Sequence, residues 1–207
     1  MSATLETWRA TWIGLGATDP GEDLYVELMA RYAEPHRAYH TKQHLDECFQ
    51  LLGVVGFLED HVYEVWLALW FHDAIYDVRA SDNELRSADW ARSAAREAGL
   101  SGTVADRIHS LVLATRHDVL PQTPDAALLV DLDLAILGAK HDRFDEYERQ
   151  VRKEYSWVPD FLFRRKRREI LEGFLARPHI YSTDAFQEMF EARARTNLRR
   201  SIEQLGG

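Results

Sequence analysis

The residues best suited to chemistry begin with a His-Asp pair at the end of an apolar run. The segment Val65 to Asp77 reads VWLALWFHDAIYD, and its seven leading apolar residues run directly into His72 and Asp73. The run follows Glu64 and is too short to cross a bilayer, so it predicts a buried helix. A buried imidazole and carboxylate need partners, and a divalent metal would satisfy both. The alternative is a half-buried His72 with a backbone partner and an Asp73 that caps a helix or faces water.

Two more histidines lie upstream, four residues apart, in the segment YHTKQH. If a helix begins just before Thr41, His44 projects from its first turn and His40 lies on the entry loop beside it. Neighbouring imidazoles are useful around a metal, one as a ligand and the other as a proton donor. The alternative is a pair of exposed polar residues at the start of a helix.

Two carboxylates, Asp131 and Asp133, lie inside another apolar segment, LVDLDLAIL. Residues two apart point to different sides of a helix, so at most one easily shares the apolar face of Leu129, Leu132 and Ile136. Asp133 lies beside that face, and the alternative is an amphipathic helix with both carboxylates solvated. Two imidazoles and two carboxylates suit a borderline divalent ion, with positions left for water and phosphate.

The elements that must position these residues are predicted to be helices throughout. Apolar residues recur at helical spacing along the chain, and sustained period-two alternation is nearly absent. Asp19-Pro20 predicts one helix start, and the buried helix is predicted to follow Gly56. Ser81 and Glu84 have the spacing of a capping box at another helix start. We therefore predict an all-α fold of about nine or ten helices.

Length and composition restrict the classes of function. A chain of 207 residues fits one domain, predicted to span 1–207. The net charge of −9 disfavours nucleic-acid binding, although the basic run 164–168 is either a solvated helix face or a strip for a nucleotide or nucleic acid. A single cysteine, Cys48, excludes a disulfide framework and a cysteine-based zinc site. The N-terminus lacks a secretory signal, so we predict a cytoplasmic protein without membrane association.

The ordered motifs resemble the HD superfamily of metal-dependent phosphohydrolases. The signature of that superfamily is His, His-Asp and Asp on an all-α scaffold. The motifs YHTKQH, FHDAIYD, SDNELRSA, DLDLAILG and EGFLARPHIYST are similar to those of a bacterial branch of uncharacterised, predicted HD-type phosphohydrolases. The resemblance covers nearly the whole chain and implies an HD-type helical bundle with its metal-site core at about residues 36–140.

The resemblance also implies roles for individual residues. The implied metal ligands are His44, His72, Asp73 and Asp133. The Tyr-His-x-x-x-His arrangement is similar to that of the cyclic-nucleotide phosphodiesterases, which makes His40 the candidate general acid. Asp133 is preferred to Asp131 because the family commonly has a small or apolar residue before this Asp and Leu or Arg after it.

Nearby polar residues are candidates for supporting roles. His117 ends an apolar helix and is the best candidate for a second metal or for substrate, together with Asp131; the alternative for His117 is a helix C-terminal position favoured by the helix dipole. Asp77 is predicted at the catalytic centre and, with Glu84, to hold metal waters or orient the ligand histidines. The substrate phosphate is predicted to contact Lys42, Arg79 and Arg86.

These residues predict a metal-dependent hydrolase of phosphoester or pyrophosphate bonds. The expected cofactor is a divalent ion among Mn, Fe, Ni, Co, Mg and Zn. The expected partner is a small phosphorylated substrate, with a nucleotide as the leading candidate, and a homodimer is compatible with the sequence. The alternatives are an HD-fold di-iron oxygenase, which would need further histidines, and a non-catalytic metal-binding or interaction module.

Overall fold

Helices account for all the regular structure that was found. The computed structural model describes residues 1–17, 21–55 and 61–206, and within these ranges it contains ten helices, one short 3-10 segment and no strand. The all-α prediction is confirmed. The predicted helix start at Asp19-Pro20 and the position of Gly56 lie outside the described residues. None of the described helices has the length and apolar character needed to cross a membrane.

Contacts along the chain divide it into two compact units, Met1–Leu132 and Asp133–Gly207. The boundary falls inside the helix Pro124–Leu134, so Asp133 follows Leu132 on one continuous helix. The assignment of a single domain to residues 1–207 stays a prediction.

The first unit is built around one largely buried helix. Its helices are α1 (Leu5–Gly14), α2 (Glu22–Tyr32), α3 (Lys42–Val55), α4 (Val62–Phe71), α5 (Asn83–Glu97), α6 (Gly102–Ala114) and most of α7 (Pro124–Leu134). All residues of α4 from Glu64 to Phe71 are buried, as the apolar run predicts. Trp8 packs edge-to-face on both Trp12 and Trp70, with ring centroids 5.4 Å apart in each pair. This aromatic contact fixes α1 against α4, whose C-terminal end carries the His-Asp pair.

The capping box predicted at Ser81 is wrong. Helix α5 begins after Asp82, which makes no side-chain capping hydrogen bond. Asn83 instead turns its side chain back to the preceding loop, where its Oδ1 accepts from the Asp77 backbone nitrogen at 3.0 Å and its Nδ2 donates to the Asp77 carbonyl oxygen at 2.9 Å. The start of α5 is therefore tied to the loop that follows the His-Asp pair.

The second unit continues from the end of α7. Its elements are a 3-10 segment (Ala135–Gly138), α8 (His141–Glu154), α9 (Asp160–Leu175) and α10 (184–206), in which a π-helical stretch, Gln187–Glu191, separates Asp184–Phe186 from Ala192–Gly206. Helix α10 packs on α9 and on the 3-10 segment. The basic run lies on α9: Arg165, Lys166 and Arg168 are exposed, as a solvated face requires, but Arg167 is buried and pairs with Glu148.

The close packing at Gly138 predicts a loss of stability on substitution. A Cβ at this position would lie 2.7 Å from the Cβ of Phe190 and 2.9 Å from both the Phe190 carbonyl oxygen and the Tyr181 phenol oxygen. Tyr181 cannot easily move away, because its hydroxyl donates to the Leu134 carbonyl at 3.1 Å. We expect Gly138→Ala to lower the free energy of unfolding by about 1–3 kcal/mol, measured by urea denaturation.

The matched control is Gly173→Ala on the exposed side of α9. Apart from its chain neighbours and the backbone of its own helix, no atom of the described residues lies within 4 Å of a Cβ built at Gly173. Alanine is the better helix former, so this change should raise the free energy of unfolding by roughly 0.5–1 kcal/mol. Equal effects of the two substitutions would contradict the packing account of Gly138.

Candidate metal centre

His72 is oriented by the helix that it ends. Its side chain is 1% exposed, and its Nδ1 lies 2.8 Å from the carbonyl oxygen of Leu69, one turn earlier on α4. A carbonyl oxygen only accepts, so Nδ1 must carry the hydrogen, and in the neutral ring the lone pair is on Nε2. The buried helix thus fixes both the tautomer and the direction of the nitrogen that would bind a metal.

His44 meets His72 from the first turn of α3. Its side chain is 2% exposed, and its Nδ1 lies 2.9 Å from the phenol oxygen of Tyr39. The Nε2 atoms of the two histidines are 3.2 Å apart. The carboxylate Oδ2 of Asp73 lies 3.0 Å from Nε2 of His72 and 3.7 Å from Nε2 of His44. Three atoms that could bind a metal therefore lie close to one another.

Asp133 completes the arrangement from α7. One ligand atom from each of His44, His72 and Asp133 can be chosen so that all three lie within 4.8 Å of one another. Asp131, two residues earlier on the same helix, is fully buried and does not belong to this group. The alternative in which both carboxylates are solvated is therefore wrong, because Asp131 has no exposed surface.

The donor set fits a divalent transition metal. Metal–nitrogen bonds of about 2.0–2.1 Å place two ligands of one ion roughly 3 Å apart, close to the separation of the two imidazole nitrogens. Imidazole with carboxylate suits the borderline ions of the first transition series. The cluster could hold one such ion, and Asp73 lies beside its two histidines.

Arg37, which the sequence did not single out, joins the pieces of the backbone around this centre. Its side chain is fully buried, and its guanidinium donates to the carbonyl oxygens of His40 at 3.1 Å, Asp73 at 2.7 Å and Ala74 at 3.0 Å. Its Nε also donates to Glu34 at 3.2 Å. Arg37 thus ties the loop before α3 to the turn after α4. The only sequence signal was a basic residue within the short linker EPHRAY.

Two tyrosines also lie next to the predicted ligands. Tyr39 orients His44, as described above. Tyr32 on α2 donates its hydroxyl to the carbonyl of Trp70 at 3.1 Å. Burial and then the negative charge of Asp73 raise the pKa of the Tyr32 phenol well above its ordinary value. Tyr32 therefore remains a neutral donor, and its hydrogen bond to Trp70 stabilises the C-terminal end of α4.

His40, the candidate general acid, is held by aromatic contacts. Its ring packs on Tyr76 with centroids 4.1 Å apart and meets Tyr39 edge-to-face at 4.9 Å. The ring is half-buried, and its centroid is 6.3 Å from that of His44. His40 is thus fixed beside the cluster while part of its surface remains accessible to a substrate.

The other predicted site residues do not join the cluster found among the described residues. Asp77 is exposed, and its Oδ1 accepts from the Arg79 backbone nitrogen at 2.9 Å. Lys42 pairs with Asp46 one turn later at 2.7 Å, which is the usual partner spacing on a helix. Arg79 and Arg86 have exposed side chains, Glu84 is half-buried in the first turn of α5, and His117 follows the end of α6 with a φ of 57°.

No family model, no curated protein and no solved structure matches the chain. Membership of the HD superfamily, which the motifs imply, therefore stays a prediction. The positions of His44, His72 and Asp133 are the observation that bears most directly on function.

Proposed function

We propose that the chain is an HD-type metal-dependent phosphohydrolase. Its substrate would be a small phosphorylated compound, with a nucleotide as the leading candidate, and the bond cleaved would be a phosphoester or a phosphoanhydride. The observation that carries this proposal is that His44, His72 and Asp133, which are far apart in sequence, bring ligand atoms within 4.8 Å of one another. The order of these residues is the order of the HD signature.

The proposed roles follow from the side chains at the centre. His44, His72, Asp73 and Asp133 would hold the ion. A bound divalent metal supplies an activated water and polarises a phosphoryl oxygen. His40, fixed between Tyr39 and Tyr76, would donate a proton to the leaving oxygen, a role for which an imidazole is suited near neutral pH.

The phosphate of the substrate is proposed to bind near the loop that follows the His-Asp pair. Arg79 and Arg86 are exposed there, whereas Lys42 is engaged by Asp46 and would have to exchange that partner for phosphate. Asp77 would act indirectly, since its carboxylate holds the turn at Arg79. The buried thiol of Cys48, the single cysteine of the sequence, is in keeping with the proposed cytoplasmic location.

The test is hydrolysis by the protein loaded in turn with Mn, Fe, Ni, Co, Mg and Zn. We expect metal-dependent release of phosphate from at least one class among nucleoside monophosphates, cyclic nucleotides and nucleoside triphosphates. Replacing His40 by glutamine should lower kcat by about a hundredfold to ten-thousandfold while leaving the metal content unchanged, because the general acid is lost but not a ligand.

The matched control is His36→Gln on the same linker. His36 contacts the Tyr76 carbonyl through Nε2 at 2.7 Å but is exposed, so its replacement should change kcat by less than about threefold. Equal losses of kcat in the His40 and His36 variants would contradict the general-acid role of His40. Two irons per chain without any phosphate release would favour the oxygenase alternative over the hydrolase.

A further inference from the structure

The backbone that follows Asp133 is held by side chains from the C-terminal part of the chain. Helix α7 ends at Leu134, and the 3-10 segment Ala135–Gly138 follows, with all of its residues buried. The last carbonyl groups of an α-helix have no partner within the helix, and buried carbonyl groups need donors from elsewhere. Here several of these donors are side chains of the second unit, to which Asp133 also belongs.

The carbonyl group nearest to the predicted ligand belongs to Leu134. The hydroxyl of Tyr181 donates to it at 3.1 Å, and Tyr181 is only 1% exposed. Asp133 and Leu134 share one planar peptide unit, so only the φ and ψ rotations of Leu134 separate this carbonyl from that plane. A donor that fixes the Leu134 carbonyl therefore restricts the turn that carries Asp133.

Two side chains of α10 hold the 3-10 segment in the same way. Asn197 is fully buried, and its Nδ2 donates to the carbonyl oxygens of Leu137 and Ala139, each at 2.9 Å. Arg193 donates through Nε to the carbonyl oxygen of Gly138. The backbone between the end of α7 and the start of α8 is thus fixed by side chains that come from far along the chain.

Tyr181 is held both by its backbone and by its ring. Its backbone nitrogen donates to Oε2 of Glu191 at 3.3 Å, and this carboxylate pairs with Arg195 at 2.8 Å. The ring packs on Phe186 and Phe190, with centroids 6.0 Å apart in each pair. Phe190 and Glu191 lie in the π-helical stretch of α10, a kind of element that is frequent at functional sites. The hydroxyl of Tyr181 therefore comes from a fixed side chain.

We infer that Tyr181 is a positioning residue of the metal centre, because its hydroxyl holds the turn of α7 from which Asp133 reaches the ion. The inference rests on the metal centre of the proposed function. Groups that orient a ligand typically contribute about tenfold to a hundredfold to metal affinity. A carboxylate that is already directed toward the ion loses less freedom when the ion binds.

The test is the metal affinity of Tyr181→Phe, with Co²⁺ as the probe. This substitution removes the hydroxyl and keeps the ring that packs on α10. We expect the dissociation constant of Co²⁺, measured by isothermal titration calorimetry, to rise about tenfold. The visible absorption of the bound ion depends on the arrangement of its ligands, so its bands should shift in this variant.

The matched control is Thr115→Val at the end of α6. Thr115 is 7% exposed, and its hydroxyl donates to the carbonyl oxygen of Val112 at 2.7 Å. Each of the two substitutions removes one buried hydroxyl that donates to a backbone carbonyl, so both should lower the urea midpoint by a similar amount. The control should change Co²⁺ affinity by less than about twofold, because its hydroxyl holds α6 and not α7.

The outcomes separate this inference from the metal centre on which it rests. If the wild-type protein binds Co²⁺ and Tyr181→Phe has the same affinity and absorption, the positioning role is overturned while the centre stands. Equal losses of affinity in the tyrosine and threonine variants would also overturn it, since a general loss of stability would then be the cause. Absence of Co²⁺ binding by the wild-type protein would overturn the centre and this inference together.

Discussion

Replacing His72 with alanine is expected to reduce the transition metal retained by the gently purified protein to background. His72 is 1% exposed and its ring is fixed by the Leu69 carbonyl, so the loss of its Nε2 removes a preorganised ligand that no mobile side chain replaces. Elemental analysis measures the metal per chain. Circular dichroism should show nearly unchanged helix content, because the buried residues of α4, Glu64 to Phe71, are unchanged.

The control for this loss is His141→Ala, at the exposed start of α8, which should retain full metal content. A second comparison uses the two carboxylates of α7. Asp133→Asn should weaken metal affinity by about a hundredfold or more, whereas Asp131→Asn should leave the metal bound, since Asp131 does not belong to the cluster. Metal retained at wild-type level in both His72→Ala and Asp133→Asn would refute the proposed centre.

The parts of this centre that were visible in the sequence are those that a single helix encodes. The apolar run of α4 specifies a buried helix whatever surrounds it, and this places His72 inside the first unit. For α4 the local pattern and the tertiary environment favour the same structure. The period of α7 was less informative, because Asp131, which the sequence placed off the apolar face, is fully buried, whereas Asp133 is half-buried.

The cap that was missed depends on a side-chain contact that spacing alone does not select. The side chain of Asn83 bonds to the backbone of Asp77, and this contact replaces the cap that Ser81 and Glu84 would have formed. Local spacing cannot reveal such competition, because the partner groups are backbone atoms of the preceding loop, and backbone atoms carry no sequence signal. The pair of Lys42 and Asp46, by contrast, follows the i, i+4 spacing of a helix and could have been predicted from the sequence.

The contacts of Arg37 are the most consequential of those that the sequence did not reveal. Removal of this side chain should therefore have a large effect on stability. Arg37→Ala deletes a buried guanidinium that serves three carbonyl oxygens and Glu34. We expect the free energy of unfolding to fall by about 3–5 kcal/mol, because the partners are left buried and unsatisfied. Urea denaturation measures this loss.

Arg31→Ala is the matched control, since Arg31 also contacts Glu34 but has a side chain that is 43% exposed. An exposed pair of this kind contributes only about 0–1 kcal/mol, so the control should be nearly neutral. Arg37→Lys provides a second comparison, because it keeps the charge but cannot reproduce the fork that reaches three carbonyl groups. Its stability should lie between those of wild type and Arg37→Ala.

Metal affinity shows whether Arg37 positions the metal centre or acts only on the stability of the fold. Arg37 joins the backbone of His40 to that of Asp73, so its loss should also weaken metal binding in the fraction that remains folded. If Arg37→Lys is destabilised but binds metal as tightly as wild type, Arg37 acts only on the stability of the fold. A loss of affinity in the folded variant would mean that this one buried cation sets the distance between the entry loop of α3 and the His-Asp pair, and hence the geometry on which the proposed chemistry depends.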